Sequence, residues 1–515
     1  MTRVLLGHSY FLRFDPKLWR AMQPYPPLGT LYAASMLREH GHEVLLFDAM
    51  LAVSTDGWRR MLVEERPDVA VLFEDNFNYL SKMCLLRMRE AAFEMIGAAR
   101  EQGCRVIVCG ADVTDHAADY LQRGAAFALL GEGEETLCEL LAALEADGDA
   151  LSVQGLSYLD EAGEVVTTGR RPVIRDLDAL PPPARDLVDM DAYRAAWQRQ
   201  GRVSVNLVTS RGCPFHCNWC AKPIWRQRYG VRRPEDVVEE IRGLRALGAE
   251  HLWFMDDIFG LKPGWLTQFA DAIEREGLQT PFKCLSRADL LLRPGEIDAL
   301  RRAGCETVWL GAESGSQGVL DAMEKGTTVE QIHEATRRLK AAGINVAFFL
   351  QFGYPGETWE DIQRTLQLVR ECDPDDVGVS VSYPLPGTPF YERVRDRVVG
   401  RHNWVDSSDL AMLYDGPYPT SFYHQLHARL HAEFRLQKAK RGRGLAQTLA
   451  GLLRRGRLKR AASLSRDAVI SPLLQARLEL LRRRVRPDAS ALPTELSRDE
   501  AAMPSAQDEA AAARR

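Results

Sequence analysis

Three cysteines, Cys213, Cys217 and Cys220, stand in the stretch "SRGCPFHCNWCAKPIWRQRYG" (210–230) at the spacing C-x3-C-x2-C. Thiolates are soft ligands for zinc and for iron–sulfur clusters, and sites of both kinds usually take four ligands. This group offers three. Either a fourth ligand comes from elsewhere, or one coordination place is left open for a reacting molecule. A structural zinc site would recruit His216 or a distant cysteine. His216 and Cys217 are adjacent, which is poor geometry for one ion, and no second C-x2-C occurs. Cys84, Cys104, Cys109, Cys138, Cys284, Cys305 and Cys372 lie singly in strand-like or helix-like runs, where a small buried hydrophobe is the simpler role.

The chain that must position these thiols has 515 residues, 46% of them hydrophobic, and a net charge of −5. At about 100–200 residues per domain this predicts two to four domains. So small a charge points neither to nucleic-acid binding nor to an acidic tail. Ten cysteines without a disulfide-like pattern suit a reducing compartment. "MTRVLLGHSYF" has too short an apolar run for a signal peptide, and no stretch of about 18 apolar residues occurs. A cytoplasmic protein without a transmembrane segment is expected.

Residues 1–150 alternate strand-like and helix-like runs, with strands at 2–9, 42–49, 67–75 and 104–112 and a last one opening 125–144. The pattern predicts a doubly wound, Rossmann-like α/β domain with ligands at the carboxyl ends of its strands. Residues 151–198 read as a hairpin around Glu161–Gly163 and a proline-stiffened linker, "LDALPPPARDLVDM". From 199 to 425 six strands, at 203–209, 251–257, 281–286, 305–312, 345–352 and 376–382, alternate with helices. Six βα units are two short of a closed eight-fold barrel, so a partial (β/α)6 barrel is expected. Residues 426–486 read as a helical extension and 487–515 as a disordered tail.

The cysteine loop follows the first strand of that second series. In this position C-x3-C-x2-C resembles the radical S-adenosylmethionine enzymes. The resemblance implies that Cys213, Cys217 and Cys220 hold a [4Fe–4S] cluster whose fourth iron binds S-adenosylmethionine, with Phe215 and Trp219 shielding it. Strings at later strand ends resemble the family's cosubstrate-binding segments: "WFMDDIFG" (253–260) with Asp256 and Asp257, "CLSRADLL" (284–291) with Ser286 and Arg287, and "WLGAESGS" (309–316) with Glu313 and Ser314. "FLQFGYPGET" (349–358), with Gln351 and Gly353, and the turn "SYPLPGTPF" (382–390) complete the series.

The segments "YPPLGTLYAASMLREHGHEVLLFDA" (25–49), "CGADVT" (109–114) and "LLGEGEETLCELL" (129–141) resemble the cobalamin-binding domain that precedes many such enzymes. "GEGEET" lacks both the dinucleotide fingerprint and the P-loop lysine. The resemblance implies cobalamin contacts at Gly110, Gly131, Glu132 and Gly133. Glu74 and Asn76 open a polar segment that reads either as a loop over the corrin or as a helix N-terminus capped by Asp75 or Asn76. No D-x-H-x-x-G occurs, so the lower face of the cobalt has no assigned ligand, and His116 reads as a solvated loop histidine.

In the extension, His424, His427 and His431 lie at helical spacing and read as a polar face. "LAQTLAGLLRRGRLKRAASL" (445–464) is basic and amphipathic and is expected to pack on the barrel, with contact to a membrane surface or an anionic partner as the other reading. The function implied is a cobalamin-dependent radical S-adenosylmethionine enzyme, foremost a C-methyltransferase acting through a 5′-deoxyadenosyl radical and methylcobalamin. Alternatives are a cyclase, ring-contraction or oxidation enzyme without methyl transfer, and a non-catalytic iron–sulfur or zinc scaffold. Expected partners are a small-molecule substrate (a secondary metabolite, peptide, lipid or tetrapyrrole) and an electron donor such as flavodoxin or ferredoxin. No nucleic acid is expected.

Overall fold

The computed structural model describes residues 1–83, 85–146, 148–220, 224–225, 227–400, 403–440 and 458–484. Cys84 and the expected tail at 487–515 lie outside the described residues.

The first sheet has seven strands in the order β2-β1-β3-β4-β5-β6-β7. β1 (Arg3–Gly7), β2 (Glu43–Phe47), β3 (Val69–Phe73), β4 (Arg105–Cys109) and β5 (Phe127–Leu129) are parallel. Alternate side chains feed two cores, one around Leu5, Trp58 and Leu72 and the other around Leu6, Val71 and Leu137. The strand order reverses between β1 and β3, so the loops after these two strands part and leave a crevice at their carboxyl ends.

The expected hairpin is present as β6 (Leu156–Leu159) and β7 (Val165–Thr167). It is part of the first sheet, with β6 antiparallel to β5, rather than a free connector. Its polar outer residues misled the reading, because an edge strand buries only one face.

The second sheet is parallel, in the order β15-β14-β13-β12-β11-β8. Its strands are β8 (Ser204–Leu207), β11 (His251–Phe254), β12 (Phe282–Ser286), β13 (Cys305–Glu313), β14 (Asn345–Phe352) and β15 (Asp376–Val381). Each neighbours the next in sequence and β8 does not pair with β15, which makes a curled, open (β/α)6 barrel. Phe254 packs edge-on to Phe269 and Phe282, fixing the helix Trp265–Glu276 against the second strand.

Between β8 and β11 a two-strand ribbon, β9 (Ser210–Arg211) with β10 (Gly230–Val231), closes the base of the cysteine loop. Beyond the barrel, the helix Thr420–Lys440 packs on a second helix, Leu458–Leu481. Arg435 joins them through both oxygens of the fully buried Asp467, at 2.7 and 3.0 Å. Among the described residues no helix is long and apolar enough to cross a membrane.

Candidate functional site

The cysteine loop starts with a forced turn. Gly212 has φ +79°, and a Cβ there would stand 2.3 Å from the Arg228 carbonyl oxygen, so only glycine lets the chain leave β9 toward Cys213. Cys213 is buried, and Cys217 and Cys220 are partly buried. Asn218, between the second and third cysteines, ties the loop to the far side of the barrel. Its amide donates to the Ala322 carbonyl (2.9 Å) and to Glu324 (3.1 Å), and its side-chain oxygen accepts from the Tyr354 hydroxyl (3.0 Å). Its backbone donates to Met323 and accepts from Phe390.

Two cations stand over the thiols. The Arg287 guanidinium lies 3.7 Å from the centre of the Phe215 ring, with Nη1 3.9 Å from Cys217 Sγ, and is held by Asp289 at 3.0 Å. Lys325 pairs with Glu313 at 2.8 Å. Burial alone would lower the Lys325 pKa, but Glu313 and Cys217 raise it. Glu313 itself takes φ +58°, a strained conformation for a residue with a side chain, where the β13–β14 register shifts.

The remaining strand-end residues fall at the carboxyl rim of the barrel in different states. Asp256 is turned inward: it accepts from Thr209 N (3.1 Å), Thr209 Oγ1 (2.6 Å) and Ser210, which clamps β11 to the chain leaving β8. Burial pushes its pKa to about 6 despite these bonds. Asp257 pairs with Lys82 of the first domain at 2.6 Å. Ser314 bonds Thr365 at 3.1 Å, and Gln351 donates to Ser382 at 3.0 Å. Gly353 is covered by Met412 and Tyr423, and its N–H donates to Glu357 at 2.6 Å. Ser286 is buried at the end of β12.

The first domain presents its strand ends to the same place. Phe77 stacks on Trp225, ring centres 5.3 Å apart, and Lys82 lies 4.7 Å over the same indole. Arg211, next to Gly212, crosses the seam to Glu132 (3.0 Å) and Glu134 (2.9 Å) between the rings of Tyr32 and Phe77. Burial pushes the Glu134 carboxyl up and Arg211 pulls it back. Glu132 is thus engaged by Arg211 and by the Ile174 N–H (2.5 Å). Gly131 N donates to Thr114 (3.1 Å), and a Cβ on Gly133 would stand 2.2 Å from Cys109 Sγ. Gly110 packs on Glu74, which accepts from Ser9 Oγ at 2.6 Å. Burial pushes the pKa of Glu74 to about 6.

The segment after β3 differs from its expected capping. Asn78 caps the short helix Tyr79–Lys82. Asp75 instead accepts from Gly29 N (3.0 Å) at the start of the helix Leu28–Glu39, and from Phe77 N (3.1 Å). Asn76 Oδ1 is buried with no hydrogen-bond partner among the described residues, as are Ser81 Oγ and Trp225 Nε1 on the same meeting segments. Tyr79 is 54% exposed, yet burial, Cys220 and Glu313 raise its pKa.

His116 lies 3.8 Å from Asp112, which Arg89 and Tyr120 also hold. The His427 and His431 rings lie 4.3 Å apart, tilted by 55°, and are half-buried while His424 is exposed; burial lowers the pKa values of His427 and His431 to about 4 and about 3. Among the described residues no group of three or more His, Cys, Asp and Glu side chains is gathered closely enough to hold a metal ion as they stand.

Residues 20–141 match the B12 binding domain model, and residues 207–369 match that of the radical SAM superfamily. The chain thus joins a B12 binding domain to a radical SAM domain. Its radical SAM domain carries the cysteine loop, and its B12-binding domain carries Glu132, Glu134 and the 74–82 segment. An uncharacterized methyltransferase of Pyrococcus horikoshii, PH0819, is 28% identical over 74% of this chain and 81% of its own length. The anaerobic magnesium-protoporphyrin IX monomethyl ester cyclase of Cereibacter sphaeroides is 33% identical over 52% of this chain, which spans only 44% of that protein. The solved structure of the cobalamin-dependent S-adenosylmethionine radical enzyme OxsB shares the fold, with TM-score 0.68 and 19% identity over 92% of this chain and 72% of that one.

The two domains fit the groups their families imply. One loop supplies three thiols, and the Arg287 and Lys325 cations suit an anionic thiolate cluster. Unpartnered polar atoms on Asn76, Ser81 and Trp225 suit a polar cofactor at the seam, since each costs about 1–3 kcal/mol when left unsatisfied. Sequence reading had missed Arg211, Asn218 and Lys325. Arg211 and Asn218 were visible only as neighbours of the cysteines, and Lys325 lies in a turn with no motif of its own.

Proposed function

We propose that this chain is an enzyme that binds S-adenosylmethionine, a [4Fe–4S] cluster and cobalamin and performs radical chemistry on a small-molecule substrate enclosed between its two domains. The observation that carries this reading is the seam: Arg211, one residue before the Gly212–Cys213 turn, is buried against Glu132 and Glu134 of the B12-binding domain. Thiols and corrin-binding loops are thereby held in one fixed arrangement, as reaction between two cofactors and a substrate requires.

Cys213, Cys217 and Cys220 would hold the cluster. When bound, it supplies one electron to the S-adenosylmethionine sulfonium, and cobalamin supplies a second reactive centre. Arg287 and Lys325 stabilise negative charge at the thiolates. Phe77 and Trp225 keep water from the seam, and Phe215 covers the thiols beneath Arg287. Asp257, Ser286, Glu313, Ser314 and Gln351 line the rim offered to S-adenosylmethionine, with Asp256 acting beneath it to fix β8 and β11 and Gly353 packed behind it under Met412 and Tyr423. Glu74, Asn76, Gly110 and Gly131 are offered to cobalamin, while Glu132 and Gly133 serve the seam and the packing behind it. Residues 1–150 and 199–425 form the two working units, with an outside flavodoxin- or ferredoxin-type donor supplying electrons.

Methyl transfer was the leading expectation. The relatives divide between a methyltransferase and a cyclase, and the cyclase has the higher identity, so radical ring formation without methyl transfer stands ahead of it. The test is anaerobic turnover with S-adenosylmethionine carrying a deuterated methyl group. Product mass unchanged by the label supports the ring-forming reading, and a gain of the labelled methyl supports methyl transfer. Failure to form 5′-deoxyadenosine with any substrate tried removes the radical reading itself.

A further inference from the structure

Between Glu433 and Asp467 the sequence carries eleven lysines and arginines (three in 435–440, five in 441–457 and three in 459–466) and no aspartate or glutamate. The whole chain is net negative, at −5, so this is a local basic concentration against the general balance. Arg435 and Lys438 are used inside the fold, on Asp467 and Asp375.

The helix Leu458–Leu481 presents two faces. Leu464 and Leu478 are buried on the side toward the helix Thr420–Lys440. On the opposite side Leu458, Val469, Leu473 and Leu480 are 63–69% exposed. At roughly 100° per residue these four fall within an arc of about 60°, together with the exposed Ala462 and Ala476. Lys459, Arg466 and Arg477, all exposed, run along one flank of this stripe at about 80–100°. No exposed carboxylate interrupts it: Asp467 is fully buried, and Glu479 is half-buried and paired with Arg482.

We propose that this face docks on an anionic lipid surface, with the helix lying in the headgroup plane. An aliphatic stripe flanked by cations enters the boundary between acyl chains and headgroups while its basic row pairs with lipid phosphates. Nucleic acid would engage the cations but leave the aliphatic stripe in water, and the helix has no aromatic residue on which a base could stack. A second copy would bring two cation-lined flanks together with no acid to pair them. The inference is independent of the proposed reaction.

The test is flotation of the full-length, cluster-loaded protein with phosphatidylcholine vesicles and with vesicles containing phosphatidylglycerol as well. Binding is expected to the anionic vesicles alone and to fall at about 1 M salt, where the Debye length is near 3 Å. Val469→Glu with Leu473→Glu is expected to lower the bound fraction about tenfold or more, with helical circular dichroism and thermal midpoint unchanged. The proposal is overturned if anionic vesicles do not float the protein, if neutral ones do so equally, or if the double variant floats as wild type does. It is also overturned if the wild type is a dimer that this variant dissociates, or if duplex DNA displaces the protein from the vesicles at equal charge.

Discussion

Arg211 and Glu134 form an ion pair at 2.9 Å across the seam between the two domains, and both side chains are 4% exposed. Glu132 completes the arrangement from the same loop at 3.0 Å. Removing the cation strands two buried carboxylates, which costs about 3–5 kcal/mol when nothing replaces it. Arg211→Met is therefore expected to lower chemical-denaturation stability by that order, and adding Glu134→Gln is expected to restore part of it. A loss under about 1 kcal/mol in the single variant would show the pair to be solvated and the seam loose.

Glu357 gives a pH dependence whose sign follows from its burial. Burial pushes its carboxyl to about 8, against the Gly353 N–H that bonds the charged form. The folded protein thus holds this proton more tightly than the unfolded chain does, so its contribution to stability falls as pH rises from about 4.5 to about 8. Glu357→Gln keeps an acceptor for Gly353 and removes the titration. The variant should match wild type near pH 4.5 and gain on it steadily toward pH 8, by at most about 1.4 kcal/mol per pH unit. Parallel stability curves for the two proteins would refute the assignment.

Arg287 places a positive charge 3.9 Å from Cys217 Sγ. A unit charge at about 4 Å stabilises an added electron by a few kcal/mol at an effective dielectric near 20, which corresponds to a potential change on the order of 100 mV. In Arg287→Met the cluster's reduction potential should become more negative by that order at unchanged iron content. A potential equal to that of wild type would mean the guanidinium does not act on the cluster.

The turn before the first cysteine tolerates no Cβ. Gly212→Ala meets the Arg228 carbonyl at 2.3 Å in a left-handed conformation. Iron retention after anaerobic reconstitution should drop severalfold, with near-normal helical content. Full retention of iron would show that the loop can take another path.

Much of this architecture was legible in the sequence because its strands are short, buried on both faces and bounded by glycines. β14, read at 345–352, runs over Asn345–Phe352. The hairpin β6–β7 was seen, but its membership in the first sheet was not, because edge pairing leaves no hydrophobic signature. At the site, the cysteine spacing and the order of the strand-end strings were readable. The inward turn of Asp256, the diversion of Glu132 to Arg211 and the role of Asp75 as an acceptor for Gly29 were not. Each depends on which partner lies opposite in space, 46 to 79 residues away along the chain. The histidines of the helix Thr420–Lys440 show the same limit, since helical spacing does not tell that His427 and His431 are half-buried while His424 is exposed.

In the proposed function Cys213, Cys217 and Cys220 act as one set that leaves a coordination place for S-adenosylmethionine. The most direct test is formation of 5′-deoxyadenosine from S-adenosylmethionine by the anaerobically reconstituted, reduced protein, beside the three single Cys→Ala variants. Wild type is expected to form it, and Cys213→Ala, Cys217→Ala and Cys220→Ala alike are expected to fall to background. Formation that persists in any one of the three would contradict this reading.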